Sequence, residues 1–143
     1  AHYFKNPEAG GGLEYTGIGH HRESIAKEVG VPGMYDYLNQ RVSWLASLVC
    51  NWMGEDAFLK RIRGQADLFN IQGDTQWCKG NIINKYKKDG YALVDIDVKC
   101  VNQRGETTMP GIATVMLPSK DLSCKPVMDG SDLELNAWNL PIE

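Results

Sequence analysis

The sequence predicts an α+β domain in which a long helix is buried against an antiparallel sheet. Two observations carry that prediction. Residues 38–53 are apolar at helical spacing, and from residue 58 onward the apolar period changes from 3.6 to 2. A third observation gives the strand direction: the turn sequences "KDG" and "QRGE" separate the last three strand-like runs, so neighbours are expected to be antiparallel hairpins.

The elements follow in chain order. "EAGGG" reads as a flexible loop and "LEYTGI" as a short strand. "RESIAKEVG" gives one or two helical turns ending at Gly30, a suitable C-terminal cap, and "VPG" turns the chain. Asp36 is expected as the N-cap of the long helix, a role worth about 0.5–2 kcal/mol. Within that helix Leu38, Val42, Leu45, Val49 and Trp52 fall at i, i+4, i+7, i+11 and i+14, one apolar face. Trp44, Ala46, Leu48 and Cys50 make the other faces largely apolar, so the helix is expected to be buried nearly all round and to end at Gly54.

Four strands are then predicted, in "FLKRIRGQADLF", "GDTQWCKGNIINKYKKDG", "YALVDIDVKCVNQRGE" and "TTMPGIATVMLPS". In the third, Leu93, Asp95, Asp97 and Lys99 alternate with Val94, Ile96, Val98 and Cys100, as in a half-buried strand. A sheet that buries such a helix must curl around it, which is the hot-dog arrangement. The expected organisation is a single domain over residues 1–120 followed by a polar tail, 121–143. In that tail Trp138 and Leu140 are expected to dock on the body or on a partner.

Composition narrows the function. At 143 residues, with 43% apolar and 23% charged residues, the chain has enough apolar material for one core. A net charge of −3 argues against nucleic-acid binding, and the basic runs "KRIRG" and "NKYKKDG" read as solvated surface. No apolar run approaches the ~20 residues of a membrane span, and no secretory signal is visible. Cys50, Cys78, Cys100 and Cys124 are scattered without a CxxC pair. That suits buried, reduced thiols in a cytoplasmic protein better than a metal site or disulfide framework.

The wording of residues 17–118 resembles the MaoC-like acyl dehydratases, which include the (R)-specific enoyl-CoA hydratases. The resemblance runs through "GHHRESIAKEVGVPG", "WLASLVCNWMGEDAFLKRI", "GDTQWCKGNI" and "VNQRGETTMPGIATVMLP", in that order. It implies a hot-dog fold, a homodimer or pairing with a second hot-dog subunit, and an acyl thioester of CoA or a carrier protein as substrate. No separate cofactor or metal is implied.

The implied chemistry needs a water activated at the β-carbon and a proton delivered to the α-carbon. An Asp and a His spaced D-x4-H do this in the family. Backbone N–H groups at the start of the buried helix meet the thioester oxygen, joining an oxyanion hole to a positive helix end. On this sequence the histidine maps to His20, with His21 beside it. Tyr15 stands where the Asp is expected, Glu14 is the nearby carboxylate, and Arg22 occupies the Asp of H-x-D. The family's His-Gly at the helix start falls on Tyr37 and Leu38.

The resemblance therefore implies catalytic roles for His20 and for Glu14 or Tyr15. Tyr15, with an ordinary pKa of about 10, is a poor replacement for a carboxylate base. Substrate contacts are implied for the Tyr37 and Leu38 amides, and further contacts are expected from Asp36 and Arg41. Two readings stay open: an enzyme with an altered dyad, or a non-catalytic acyl-CoA-binding subunit of a heteromeric dehydratase. A thioesterase of the usual hot-dog kind would need a carboxylate in mid-helix, and residues 38–53 contain none.

Overall fold

A computed structural model describes residues 3–7 and 10–120. The chain opens with a hairpin of two short strands, β1 (Tyr3–Asn6) and β2 (Gly12–Tyr15), followed by a 3-10 turn at Thr16–His20 and a short helix, α1 (Glu23–Glu28). Helix α2 spans Leu38–Met53. Four strands complete the described chain: β3 (Phe58–Gly64), β4 (Gln76–Lys88), β5 (Tyr91–Asn102) and β6 (Thr107–Leu117). The tail, with Cys124, Trp138 and Leu140, lies outside the described residues.

The four strands form one sheet in the order β3-β6-β5-β4, with every pair antiparallel. The period-2 reading of β5 holds from Val94 to Cys100, whereas Leu93, predicted on the polar face, is buried as well. Val94, Ile96, Val98 and Cys100 are buried, while Asp95, Asp97 and Lys99 on the other face are half-buried. Leu45 and Val49 of α2 lie against those buried β5 residues and against Met109, Ala113 and Val115 of β6. Burying each of these two helix residues contributes roughly 1.5–3 kcal/mol of hydrophobic stabilisation.

Gly111 of β6 pairs with Gly64 of β3 with no room for a side chain. A Cβ built there would collide with the carbonyl oxygen of Arg63 and press on a methyl group of Val98. The close pairing of β6 with β3 therefore needs a residue with no side chain at this point.

Three expectations about α2 are corrected. The N-cap is Tyr37, in extended conformation and without a side-chain capping bond, and not Asp36. The carboxylate of Asp36 turns instead to Arg41 and Asn70, because Arg41 is itself buried and needs a counter-charge. The buried stripe is Arg41, Leu45 and Val49, so Leu38 and Trp52 at the ends of the predicted face stand 51% and 47% exposed. Nor is the helix buried all round. A four-stranded sheet covers one side, leaving Cys50 exposed and Trp44, Ala46 and Leu48 half-buried.

The other boundaries differ in detail. The strand predicted in "FLKRIRGQADLF" stops at Gly64, and the rest is a loop that crosses the start of α2. The first strand of the N-terminal hairpin carries no clear pattern in sequence, yet it pairs residue for residue with β2. No helix among the described residues is long and apolar enough to cross a membrane.

Candidate functional site

A cleft of about 380 Å³ opens beside the first turn of α2. His20 and His21 line it from the 3-10 turn, Tyr35, Asp36 and Tyr37 from the segment entering α2, and Asn70 and Asp74 from the loop before β4. The last two segments are tied by backbone bonds: Asp36 N–H donates to the Asn70 carbonyl at 3.1 Å, and Gln72 N–H to the Met34 carbonyl at 2.8 Å. Tyr35 and Ile71 form an isolated antiparallel bridge between them.

His20 is fixed on three sides. Its Nδ1 lies 2.9 Å from the carbonyl oxygen of Tyr35. A carbonyl only accepts, so Nδ1 carries the proton, and in the neutral ring Nε2 is left as an acceptor. The ring stacks on Tyr37 with centroids 3.9 Å apart and planes 20° from parallel. Tyr35 flanks it at 4.2 Å, and Phe69 braces Tyr35 edge-on at 4.9 Å. His21 is exposed, and its Nε2 is 2.8 Å from the Tyr37 hydroxyl. Both histidines thus hold Tyr37, the N-cap of α2.

At that helix start the first bonds close early. Gln40 and Arg41 N–H both reach the Tyr37 carbonyl, and Gln40 N–H also meets the Asn39 side-chain oxygen. The N–H groups of Tyr37 and Leu38 have no acceptor among the described residues, as expected of the positive end of a helix.

Two carboxylates line the cleft. Asp74 is fully engaged: Arg104 grips it with two bonds at 2.9 and 3.2 Å, and Gln103 and the Ile71 N–H donate as well. The Arg104 guanidinium holds its carboxyl down at about 2. Asp36 is nine-tenths buried. Its Oδ2 receives Asn70 Nδ2 at 3.1 Å and sits 2.9 Å from Arg41 Nε, whose N–H is not aimed at it. Asp36 Oδ1 has no hydrogen-bond partner among the described residues.

The other residues singled out from sequence lie elsewhere. Arg41 is 3% exposed, and its Nη1 donates to the carbonyls of Leu68 and Thr108 at 2.8 and 3.1 Å, so it clamps the loop and β6 from inside. Tyr15, 53% exposed, ends β2, packs over Gly17 and tilts against Tyr3, away from the cleft lining. Glu14 sits in β2 opposite Phe4. Leu38 presents its amide to the helix end and its side chain to solvent.

Sequence reasoning misses Asn70, although this buried asparagine joins Asp36 to the Gln76 side chain and is central to the cleft wall. It follows directly on a stretch that reads as strand, and no local pattern marks it. Among the described residues no cluster of His, Cys, Asp and Glu is arranged to hold a metal ion.

No family model and no curated protein matches this chain. Solved structures do. The (R)-hydratase of A. caviae involved in PHA biosynthesis superposes with a TM-score of 0.63 at 15% identity, covering 71% of this chain and 76% of that one. The ChsH1-ChsH2 complex of Mycobacterium tuberculosis gives 0.61 at 19% identity, with the same coverage. The HadBC (3R-hydroxyacyl-ACP dehydratase) complex of the same organism gives 0.57 at 20%, covering 69% and 74%. At these identities the likeness is one of fold, and together with the long helix on an antiparallel four-stranded sheet it shows that the chain has a hot-dog fold.

Proposed function

We propose that the protein is an acyl-thioester hydratase/dehydratase acting on enoyl-CoA or 3-hydroxyacyl-CoA substrates, or on the corresponding carrier-protein thioesters. The observation that carries the reading is that His20 shares one cleft with the amide end of α2. In this reading the thioester oxygen accepts from the free Tyr37 and Leu38 amides, where charge developing on it meets the positive helix end. His20, its Nδ1 proton committed to Tyr35, takes the proton of water at Nε2 and returns it to the substrate.

A carboxylate is needed to hold the same water. Asp36 lines the cleft and has one unpartnered oxygen, Oδ1, which is buried in the substrate-free fold; we place Asp36 ahead of Glu14 in that role on the condition that substrate binding brings water to this oxygen. Tyr15, outside the cleft lining, is not assigned a part in the reaction. Purified protein should hydrate trans-2-enoyl-CoA. His20→Ala should lower the rate by about 10²–10⁴-fold, the usual worth of a positioned acid/base. Asp36→Asn should lower kcat, whereas Glu14→Gln should leave it unchanged. Full activity in His20→Ala would end the assignment.

A second reading, a non-catalytic subunit that completes a heteromeric dehydratase, is favoured by one observation. Both cleft carboxylates already carry an arginine partner, Arg41 for Asp36 and Arg104 for Asp74. Co-purification with a second hot-dog chain, and activity only in that complex that survives His20→Ala, would select it.

A further inference from the structure

Two of the cysteines scattered through the sequence meet in the fold. Cys78 of β4 and Cys100 of β5 are direct partners in the antiparallel register, and their Sγ atoms lie 4.0 Å apart. Directly opposed residues of such a pair have Cα atoms about 4.5–5.5 Å apart, inside the range of about 4.4–6.8 Å that a disulfide spans. Bonded sulfurs sit about 2.05 Å apart, so the pair closes by turning its side chains, with no slip of the strands.

The two thiols are unequal. Cys100 is fully buried in the core, and that burial pushes its thiol up to about 12. Cys78 is half-buried on β4, the edge strand, which β5 alone holds in the sheet. Cys78 is therefore the thiol that meets an oxidant, and Cys100 the one that resolves it.

The pair also lies beneath the wall of the His20 cleft. Gln76, two residues before Cys78, donates from Nε2 to Asn70 Oδ1 at 2.8 Å, and Asn70 in turn holds Asp36. Thr108 Oγ1 donates to Gln76 Oε1 at 2.7 Å and lies 3.4 Å from the carbonyl oxygen of Cys100. A covalent link between β4 and β5 at this level fixes the strand that carries Gln76.

We propose that Cys78 and Cys100 form a reversible disulfide on exposure to hydrogen peroxide, clamping edge strand β4 to β5 beneath the cleft wall. The Cys78 thiolate attacks one peroxide oxygen; an S–O bond forms, the O–O bond breaks, and the departing hydroxide takes up the proton that Cys78 released. The Cys100 sulfur then attacks the Cys78 sulfenic acid. The S–S bond forms as the S–O bond breaks, and the second hydroxide leaves as water with the Cys100 proton. Two thiols and one peroxide give one disulfide and two waters.

The test uses the full chain carrying Cys50→Ser and Cys124→Ser, so that only this pair can react. After peroxide treatment, peptide mass spectrometry without reduction should find Cys78 joined to Cys100, lighter by two hydrogens and restored by dithiothreitol. The folded chain should form the link about tenfold or more faster than the same chain in urea, because folding holds the sulfurs together. Hydrogen exchange in 70–78 should slow by about tenfold or more on oxidation and recover on reduction. With Cys100→Ser added, Cys78 should stop at a sulfenic acid that dimedone captures; should that variant fail to fold, the linkage and exchange measurements decide alone. Thiols that stay reduced, Cys78 passing to sulfinic acid without the link, or disulfides between chains overturn the proposal. So does exchange in 70–78 that is unchanged or faster in the oxidised chain.

Discussion

Arg41 shows how a single residue changes meaning between sequence and structure. One turn into an otherwise apolar helix, it reads as a group facing a cleft. In the fold it is buried, bonded to two carbonyls from different segments and set against Asp36. Removing one partner of a buried pair leaves the other charge uncompensated. Arg41→Met should therefore destabilise by about 3–5 kcal/mol in denaturant unfolding, and pairing it with Asp36→Asn should recover part of that loss.

The cysteines separate in the same way. Cys100 is buried opposite Cys78 with Sγ atoms 4.0 Å apart, and burial, followed by the neighbouring Cys78, pushes its thiol up to about 12. Cys50 is exposed on α2, against the expectation that it would be buried. At pH 8 iodoacetamide should label Cys50 long before Cys100, because the thiolate is the reacting species. Equal labelling rates would contradict this packing.

At the scale of elements, period carries most of the prediction. The alternation in β5, the turns at "KDG" and "QRGE" and the end of α2 at Gly54 are all legible, because backbone geometry writes its period directly into apolar spacing. Which face of α2 is buried is not legible. Leu38, Val42, Leu45, Val49 and Trp52 drift around the helix over four turns, and the sheet meets only the middle of that band. Gly111 in "MPGIATV" has no local reason to be glycine; the reason is a contact with a strand far away in sequence. Gly111→Ala should cost about 1–3 kcal/mol through overpacking against the β3 backbone, measurable as a lowered unfolding midpoint. An unchanged midpoint would mean that β3 moves aside freely.

At the scale of the whole molecule, the sequence motifs "GDT" and "NQRGE" turn out to be one structure. Asp74 bonds Gln103 and Arg104, Gln103 also accepts from the Thr75 N–H, and Arg104 also pairs with Glu106. This knot supports the His20 cleft by fixing the entry to β4 onto the β5–β6 hairpin. The folded pKa of Asp74, about 2, lies below the unfolded value of about 3.9. The sign follows: Asp74 contributes stability at neutral pH that persists down to about pH 4 and is lost as pH falls from there toward about 2. Asp74→Asn should lower stability at pH 7 and flatten that part of the acid-unfolding profile. A parallel shift at every pH would show that the charge is not the source.

The sequence by itself determined helix α2, the four strands of the main sheet, their order along the chain and their antiparallel sense, because period and turn chemistry depend on residues close together in the chain. It also placed a histidine just before the short helix α1. Tertiary structure alone decided what that histidine meets. Tyr35 fixes its proton, Tyr37 stacks on it, and Asp36, sixteen residues on, shares its cleft. Such partnerships rest on backbone bonds between segments far apart in sequence, from Asp36 to Asn70 and from Gln72 to Met34. Spacing along a chain does not encode them.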